Sequence, residues 1–376
     1  MEIDLLAVLP RGLEEVGLLE LSLLGAKNLR KSRGRISCKV DLATFYRLHF
    51  QARLPFRFLR EMSEFSCNGQ ESLYYAVQNA CDWQKWLDPS KTFRVNVSGG
   101  SRELNHSHFT ALTVKNALVD LQESIWSKRS KVNLDEPDIC IHLHLLSDRG
   151  VLSFATSASS LHRRGYRSGV GLAPLKENLA AGLIKLSNWD DSLTLVDPLC
   201  GSGTFLLEAA SIARGVAPGL HRSFLFETWP DFQRELWTQE RNQAEKLFLP
   251  HKKLPTIIGC EQNISIADQA KDNIKRAGLN NSIEIQIGHY KDLVLPKLPG
   301  VLVCNPPYGK RLGNLKDLES MYREFGHYLK NNASGWDLWL LNGNPKLSNF
   351  LGMKCSRRFP VSNGGIDCRW LHYKIH

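Results

Sequence analysis

The stretch that decides the fold is residues 193–205, LTLVDPLCGSGTF. It joins an apolar run, 193–196, to an acidic residue and a glycine-rich turn, and residues 204–215 continue with the apolar spacing of a helix. Gly201 and Gly203 allow the backbone to approach a ligand closely while it turns into that helix. A buried strand that turns through glycines into a helix is typical of an α/β domain, which binds its ligand beyond the carboxyl ends of parallel strands.

The C-terminal half of the chain repeats this alternation of apolar runs and helical segments. Such alternation predicts a mostly parallel sheet with helices on both faces, which is a Rossmann-like α/β fold. We predict strands over residues 193–196, 256–260, 283–287, 301–304 and 338–341, and helices over 204–215, 264–277 and 315–330.

The N-terminal half has short strands and helices in mixed order, which fits an α+β arrangement with helices on one face of a small sheet. We predict strands over residues 3–8, 36–40, 92–97, 139–145 and 151–155, and helices over 13–23, 41–50 and 109–126. The stretch after these elements is basic and contains glycines, as linkers often do. We therefore divide the chain at a linker over residues 161–172.

The composition limits the class of protein. A length of 376 residues suggests two domains, and 43% hydrophobic with 23% charged residues is ordinary for a soluble globular protein. The net charge of +10 favours polyanionic partners. The nine cysteines form no C-x-x-C pair, which predicts reduced thiols and no metal site. The acidic N-terminus and the lack of an apolar run of about 20 residues predict a cytoplasmic protein without membrane contact.

The first strand ends in a loop that suits a methionine moiety better than a phosphate. Its glycines fit neither the G-x-G-x-x-G pattern of dinucleotide loops nor the Gly-Lys-Ser/Thr ending of phosphate loops. Asp197 would repel a pyrophosphate but attract the cationic amino group of S-adenosylmethionine, and the next helix N-terminus suits a carboxylate. The cofactor contacts that we predict in this loop are Asp197, Leu199, Cys200, Gly201, Gly203 and Thr204.

The next two strand ends supply further cofactor contacts. Glu261 follows the second strand, where a carboxylate usually accepts hydrogen bonds from ribose hydroxyls. Taken alone, this glutamate could equally be a surface residue, but the Asp197 loop one strand earlier favours the ribose interpretation. His289 follows the third strand, where we expect the adenine to lie.

The fourth strand ends in Asn305-Pro306-Pro307-Tyr308, the most specific motif of the chain. The exocyclic amino group of a base is a poor nucleophile because its lone pair is delocalised into the ring. The Asn305 side-chain carbonyl and the Pro306 backbone carbonyl can accept its two hydrogens, and the prolines fix the backbone that presents them. Tyr308 offers an aromatic face to a base taken out of its stack. We predict that all four residues are catalytic and that Asn305 also contacts the cofactor; guanine and adenine amino groups suit the motif alike.

Two basic groups are candidates for RNA contact. Residues 24–60 contain ten Lys or Arg and one acid, Asp41, an excess that suits phosphates but also fits a solvated surface. The second group combines linker residues with residues beside the catalytic motif, which are better placed to hold the target strand. Its members are Arg163, Arg164, Arg167, Lys310 and Arg311.

The whole chain resembles the THUMP-domain RNA methyltransferases, and within them the 23S rRNA guanine-N2 methyltransferases in their short form, without a second fused methyltransferase. The resemblance rests on residues 197–204 (DPLCGSGT), 305–312 (NPPYGKRL), 161–167 (LHRRGYR) and 173–180 (APLKENLA). It implies a ferredoxin-like segment over 1–55, a THUMP domain over 56–160 and a class I methyltransferase domain over 173–376. It also implies S-adenosylmethionine as cofactor and methyl transfer to guanine N2 in 23S rRNA.

The chain departs from the family pattern at His289, where the family often has an aspartate against the adenine amino group; Asp292 is the alternative contact. We expect the long connection over residues 205–254 to form part of the substrate wall. The predicted partner is RNA, first of all rRNA, with no obligate protein partner. A tRNA guanine-N2 methyltransferase, a DNA adenine-N6 methyltransferase and a non-catalytic RNA-binding protein of ribosome assembly stay open as alternatives.

Overall fold

The computed structural model describes residues 2–167, 175–308 and 315–376. The strands in these ranges form two seven-stranded sheets, one from the first 155 residues and one from residue 195 onward. This arrangement confirms an α+β region followed by a Rossmann-like α/β region. None of the helices in the described ranges is long and apolar enough to cross a bilayer.

The N-terminal sheet is mostly antiparallel, with strand order β2-β3-β1-β4-β7-β6-β5. β4 joins the two halves of this sheet. Residues 57–60 of β4 pair with β1, and residues 59–66 pair with β7. One continuous sheet therefore carries the predicted ferredoxin-like segment and the predicted THUMP domain. Its strands are β1 Ile3–Val8, β2 Lys27–Ser32, β3 Arg35–Val40, β4 Arg57–Ser66, β5 Phe93–Gly100, β6 Ile139–Leu146 and β7 Arg149–Ala155, and its helices are α1 Glu14–Leu23, α2 Leu42–Gln51, α3 Gln70–Gln78, α4 Trp83–Trp86 and α5 Ser107–Trp126.

The two faces of this sheet differ in polarity. In β1, Ile3, Leu5 and Ala7 are buried in the core, while Leu6 and Val8 point to the other side and are half-buried, as the two-residue period of a strand requires. We call this second side the outer sheet face. It is lined by Leu6, Val8, Arg35, Arg57, Leu59, Glu61, His142, His144, Val151 and Ser153.

The C-terminal sheet has the order β10-β9-β8-β11-β12-β14-β13, in which β8 to β12 are parallel and β14 is antiparallel to both its neighbours. The carboxyl ends of the parallel strands therefore meet at one edge. The strands are β8 Leu195–Asp197, β9 Ile257–Glu261, β10 Glu284–Ile287, β11 Val301–Cys304, β12 Asp337–Asn342, β13 Cys355–Asn363 and β14 Ile366–Lys374, and the helices are α6 Glu177–Leu186, α7 Thr204–Ala213, α8 Arg234–Lys246, α9 Ile264–Arg276 and α10 Leu315–Asn332.

The long connection after α7 packs on the N-terminal region and braces it against the C-terminal region; its expected role in the substrate wall stays a prediction. The Trp237 ring of α8 stacks on Phe50 of α2 with 4.0 Å between ring centroids. Arg47 donates two hydrogen bonds, of 3.0 and 2.8 Å, to the carboxylate of Glu240. The apolar face of α8 packs against α2, which lies about 190 positions earlier in the chain. Sequence periodicity shows that a helix has an apolar face but not which distant segment covers it.

Buried ion pairs also join the two regions. The Glu208 carboxylate of α7 lies 3.8 Å from the Arg53 guanidinium and 3.6 Å from that of Arg164, and all three side chains are buried. Lys185 of α6 pairs with buried Glu20 of α1 at 2.8 Å. Because charges in a low-dielectric interior need partners, these contacts hold α1, α6 and α7 in fixed relation.

Candidate cofactor and substrate site

The candidate site lies at the carboxyl edge of the C-terminal sheet. β8 pairs with β9 through Asp197 and Gly259, and with β11 through Val196 and Leu302. The residues at the ends of these adjacent strands, Asp197, Glu261 and Asn305, therefore face the same edge, as the sequence predicts for a ligand site.

The glycine loop after β8 is fastened to the end of β9. The Cys200 amide donates to the Cys260 carbonyl at 3.0 Å, and the Gly201 amide donates to Glu261 Oε2 at 3.1 Å. Gly203 has a φ of +80° at the N-terminus of α7, a left-handed conformation that favours glycine. The loop thus has a fixed shape around a helix N-terminus.

The predicted loop contacts differ in what they can offer a ligand. The Cys200 side chain is buried against Gly259, where a Cβ would lie 2.8 Å from its Sγ. The Thr204 hydroxyl accepts a hydrogen bond of 2.9 Å from Arg167. Leu199 is half-buried and its amide donates to Asp197 Oδ1 at 3.1 Å.

Asp197 is a buried carboxyl group that fits a cationic ligand. Its side chain has no ion-pair partner among the described residues, and the residue is 2% exposed. Burial, and then the nearby negative charge of Glu261, raise its pKa to about 8, against the lowering effect of the Leu199 amide. A cation bound beside it would favour the ionised carboxylate.

Glu261 uses each carboxylate oxygen once within the protein, since Oε2 accepts from Gly201 and Oε1 accepts from the Asn263 amide at 2.8 Å. Each oxygen keeps a second lone pair for a ribose hydroxyl. Three residues on, Ile264 opens α9 and is 64% exposed. Sequence reasoning did not single out this exposed apolar side chain, although its place three residues after the strand-end acid was an available signal.

His289 lies at the end of the third strand, as predicted, in front of the short 3-10 helix 290–292. Its Nδ1 accepts a hydrogen bond of 3.2 Å from the Lys291 amide, and its ring lies 4.2 Å, centroid to centroid, from that of Tyr290. The Nε2 atom is therefore the one left to meet a ligand. The alternative residue, Asp292, has an exposed side chain.

Asn305 carries an unsatisfied acceptor. Its Oδ1 atom is buried and has no hydrogen-bond partner among the described residues. An unpaired buried carbonyl costs about 1–3 kcal/mol, so a ligand donor that bonded to this atom would be stabilised. Pro306, the next residue, is buried, and Pro307 is half-buried.

Two contacts within the protein fix the position of the Tyr308 ring. Its hydroxyl accepts a hydrogen bond of 2.9 Å from Asn363 at the end of β13, and Gly343 lies so close that a Cβ there would clash with its ring. Burial raises the pKa of this phenol, so it is neutral at physiological pH. These contacts hold one side of the ring. No sequence pattern indicated that Asn363 and Gly343 would contact Tyr308, because both lie far from it along the chain.

Two of the three linker arginines make contacts inside the protein. Arg164 is buried against Glu208 and donates to the Leu161 carbonyl at 2.8 Å. Arg167 pairs with Glu177 at 2.8 Å and donates to Thr204. Both guanidinium groups thus lie against carboxylates inside the protein, and their contact with RNA stays a prediction.

Arg163 is exposed and stays available for RNA contact. Lys310 and Arg311, like Gly309 and Leu312 of the catalytic motif, lie outside the described residues. Of the predicted basic stretch 24–60, the described ion pairs occupy Lys31, Lys39, Arg47, Arg53 and Arg60.

Three family models match the chain in succession. An RlmL ferredoxin-like domain matches residues 4–59, a THUMP domain matches residues 71–154, and an RMKL-like methyltransferase domain matches residues 164–372. The last match covers more than half of the chain and includes every strand end described above.

Known proteins match the chain over its whole length. A Synechocystis protein provisionally named as an RNA methyltransferase is 38% identical over 98% of this chain and 96% of its own length. The Ribosomal RNA large subunit methyltransferase K/L of Methylococcus capsulatus is 37% identical over 99% of this chain, which spans about half, 51%, of that protein. A solved structure, provisionally described as a methyltransferase complexed with SAH, has a TM-score of 0.90 at 30% identity, covering 100% of this chain and 98% of its own.

Proposed function

This chain belongs to the RMKL-like methyltransferase family, and we propose that it transfers the methyl group of S-adenosylmethionine to the N2 amino group of a guanine in 23S rRNA, in the cytoplasm. The observation that carries the proposal is the unsatisfied Oδ1 of Asn305 at the same sheet edge as Asp197 and Glu261. An amino group of a base would supply the missing donor.

The residues at the sheet edge fit the proposed cofactor. Asp197 would hold the cationic amino group of the methionine moiety, the Gly201 to Thr204 turn would hold its carboxylate, and Glu261 would hold the ribose. His289 and Ile264 would flank the adenine. When bound, S-adenosylmethionine supplies a methyl group attached to a positively charged sulfur.

The chain's own contribution to the reaction would be to hold and polarise the target amino group. Asn305 Oδ1 and the Pro306 carbonyl accept one amino hydrogen each, which returns lone-pair density to the nitrogen that attacks. Tyr308 stacks on the flipped base and, because Asn363 holds its hydroxyl, keeps that base in line with the methyl group. The acceptors act in a partly buried site, where electrostatic effects exceed those in water.

The chemistry of the site suits an amino group of a base, and the choice of guanine in 23S rRNA needs further support. Support for rRNA comes from the name of the Methylococcus relative, and support for RNA over DNA comes from the match to a THUMP domain. In this proposal residues 1–160 bind the RNA, residues 161–172 connect the two regions, and residues 173–376 carry out the methyl transfer.

The test is mass spectrometry of nucleosides from separately purified rRNA and tRNA, with and without the gene. The proposal expects N2-methylguanosine to fall in the 23S fraction alone and to return with the wild-type gene but not with Asn305→Ala. Loss of a methylated tRNA nucleoside, or of N6-methyl-2′-deoxyadenosine from genomic DNA analysed in parallel, would transfer the activity to one of the alternatives. No change in any fraction would contradict it.

A further inference from the structure

A groove of about 540 Å³ crosses the outer sheet face and ends at the methyltransferase region. Its lining comes from all seven strands of the N-terminal sheet, from Phe56, Ser160 and His162 beside them, and from Lys176, the residue that precedes α6. Its size is that of a ligand site. Any role for this groove in RNA binding rests on the proposed function, because it is that function which makes RNA the substrate.

The charged groups of the groove suit an anion. Arg35, Arg57 and Lys176 line it, and none of them has an ion-pair partner in the part of the chain that the structure describes. The acid in the lining, Glu61, has its pKa raised by burial and by the negative charges of Asp4 and Glu64. Three unpaired cations against one acid in the lining give the groove a positive potential that suits backbone phosphates.

The groove also offers surfaces for unstacked bases. Phe56 is half-buried at its side, the Lys176 Nζ atom lies 4.9 Å from the centre of its ring, and the His162 ring meets it edge-on at 6.0 Å. Leu6, Val8, Leu59 and Val151 contribute apolar side chains to the lining. A duplex keeps its base faces inside, so these surfaces suit a single strand.

Two histidines of β6 add hydrogen-bonding groups. His144 Nδ1 is bonded to the Ser98 hydroxyl at 2.9 Å, but His142 Nδ1 is buried without a partner among the described residues. Burial first, and then the positive charges of Arg57, His144 and Arg35, lower the pKa of His142 to about 4. The neutral ring can therefore accept from or donate to the edge of a base at neutral pH.

The inner end of the groove is connected to the cofactor loop. Lys176 is followed by Glu177, whose carboxylate pairs with Arg167 at 2.8 Å, and Arg167 donates to the Thr204 hydroxyl at 2.9 Å. Two side-chain contacts thus connect the end of the groove at Lys176 with Thr204, the first residue of α7.

We propose that this groove binds a single-stranded segment of the substrate RNA, with phosphates on Arg35, Arg57 and Lys176 and a base on Phe56. The segment lies between the part of the RNA held by the N-terminal region and the base presented to Asn305. The groove sets how tightly the RNA binds and takes no part in the transfer step.

The test compares matched variants of the full-length chain by fluorescence anisotropy. The probes are a labelled RNA of mixed sequence, about 12 nucleotides long and so within the usual site size of a single-strand groove, and the same RNA in a duplex. Arg35→Ala with Arg57→Ala removes two groove cations, and Lys128→Ala with Lys131→Ala removes two exposed cations that do not line the groove. Phe56→Leu removes the aromatic surface while it keeps an apolar side chain. Calorimetric titration with S-adenosylmethionine checks that each variant is folded.

The wild type should bind the single strand more tightly than the duplex. The arginine pair should weaken single-strand binding and reduce the slope of log K against log salt by about 1.4, or about 0.7 per phosphate contact, whereas the lysine pair should leave both unchanged. Phe56→Leu should weaken binding roughly tenfold without changing the slope. Equal losses in the two charge pairs, or equal affinity for the duplex, would overturn the proposal.

Methyl transfer to deproteinised 23S rRNA separates this proposal from the function on which it rests. The groove variants should raise the KM for RNA and keep kcat. A wild type that binds the single strand as expected but methylates no RNA would reject the proposed function alone. Normal methylation with unchanged KM in the arginine pair would reject the groove alone.

Discussion

Cofactor binding should release a proton from Asp197, and the amount should depend on pH. Burial raises the pKa of this carboxyl group from 3.8 to about 8 in the free protein. At pH 7 about nine tenths of the free protein would then carry the protonated form, and at pH 9 about one tenth. The cationic amino group of the cofactor should ionise the group fully, so that Asp197 itself loses about 0.9 protons per cofactor bound at pH 7 and about 0.1 at pH 9, which is the difference in release between the wild type and Asp197→Asn.

The same pKa has a consequence for stability. A carboxyl group whose pKa is higher in the folded than in the unfolded state makes folding less favourable as pH rises. The cost is absent below pH 3.8, grows up to about pH 8 and is constant above that value. At pH 7 it is at most about 4 kcal/mol. Asp197→Asn should therefore raise the unfolding free energy of the cofactor-free protein at neutral pH while it weakens cofactor binding at least roughly a hundredfold.

The assay is calorimetric titration with S-adenosylmethionine in buffers of different ionisation enthalpy, at both pH values. The slope of observed enthalpy against buffer enthalpy gives the number of protons released, and Asp197→Asn is the control that should release none from this position. A slope near zero at pH 7, or full affinity in the variant, would show that Asp197 does not face the cofactor amino group.

Three further substitutions test the site and its support. Asn305→Ala, assayed at saturating cofactor, should lower kcat for RNA methylation about 100-fold or more, since it removes an acceptor of the target amino group; near-normal kcat would refute that role. Glu208→Gln should cost about 3–5 kcal/mol in denaturant unfolding, because Arg53 and Arg164 lose a buried partner, and an unchanged midpoint would mean that the pairs contribute nothing. Gly219→Ala should cost about 1–3 kcal/mol, because a Cβ would clash with the backbone oxygen of His49 in α2; wild-type stability would mean that the brace is not tightly packed.

Sequence patterns located the parts of the fold that depend on local alternation. All five strands predicted in the C-terminal half lie within two residues of their predicted positions, and 301–304 matches β11. The helix predicted over 41–50 is found as α2, and Asp41 caps it by accepting a hydrogen bond of 2.7 Å from the Thr44 amide. These features are encoded over a few neighbouring residues, so one sequence suffices to find them.

Strands with irregular patterns were missed. β2, with the sequence KNLRKS, is an edge strand whose residues are mostly exposed, so it has no apolar alternation. β4 contains a register shift between Glu61 and Ser63 that breaks the two-residue period. The hairpin of β13 and β14 has a polar outer strand with Pro360, which local patterns do not favour as a strand.

The candidate site was predictable where it lies at strand ends and unpredictable where it depends on distant partners. Asp197, Glu261 and Asn305 follow apolar runs, and the sheet order brings those runs together. The burial of Arg164 depends on Glu208, 44 positions later, and the anchoring of Tyr308 depends on Asn363. No local pattern distinguishes a buried arginine from one that contacts RNA.

The most direct test of the central claim is methyl transfer by the purified chain to deproteinised 23S rRNA from cells that lack the gene, with isotopically labelled S-adenosylmethionine and nucleoside analysis of the product. We expect label in N2-methylguanosine with the wild type and none with Asn305→Ala, under conditions in which both bind the cofactor. Label in another nucleoside, or equal labelling by the two proteins, would contradict the account.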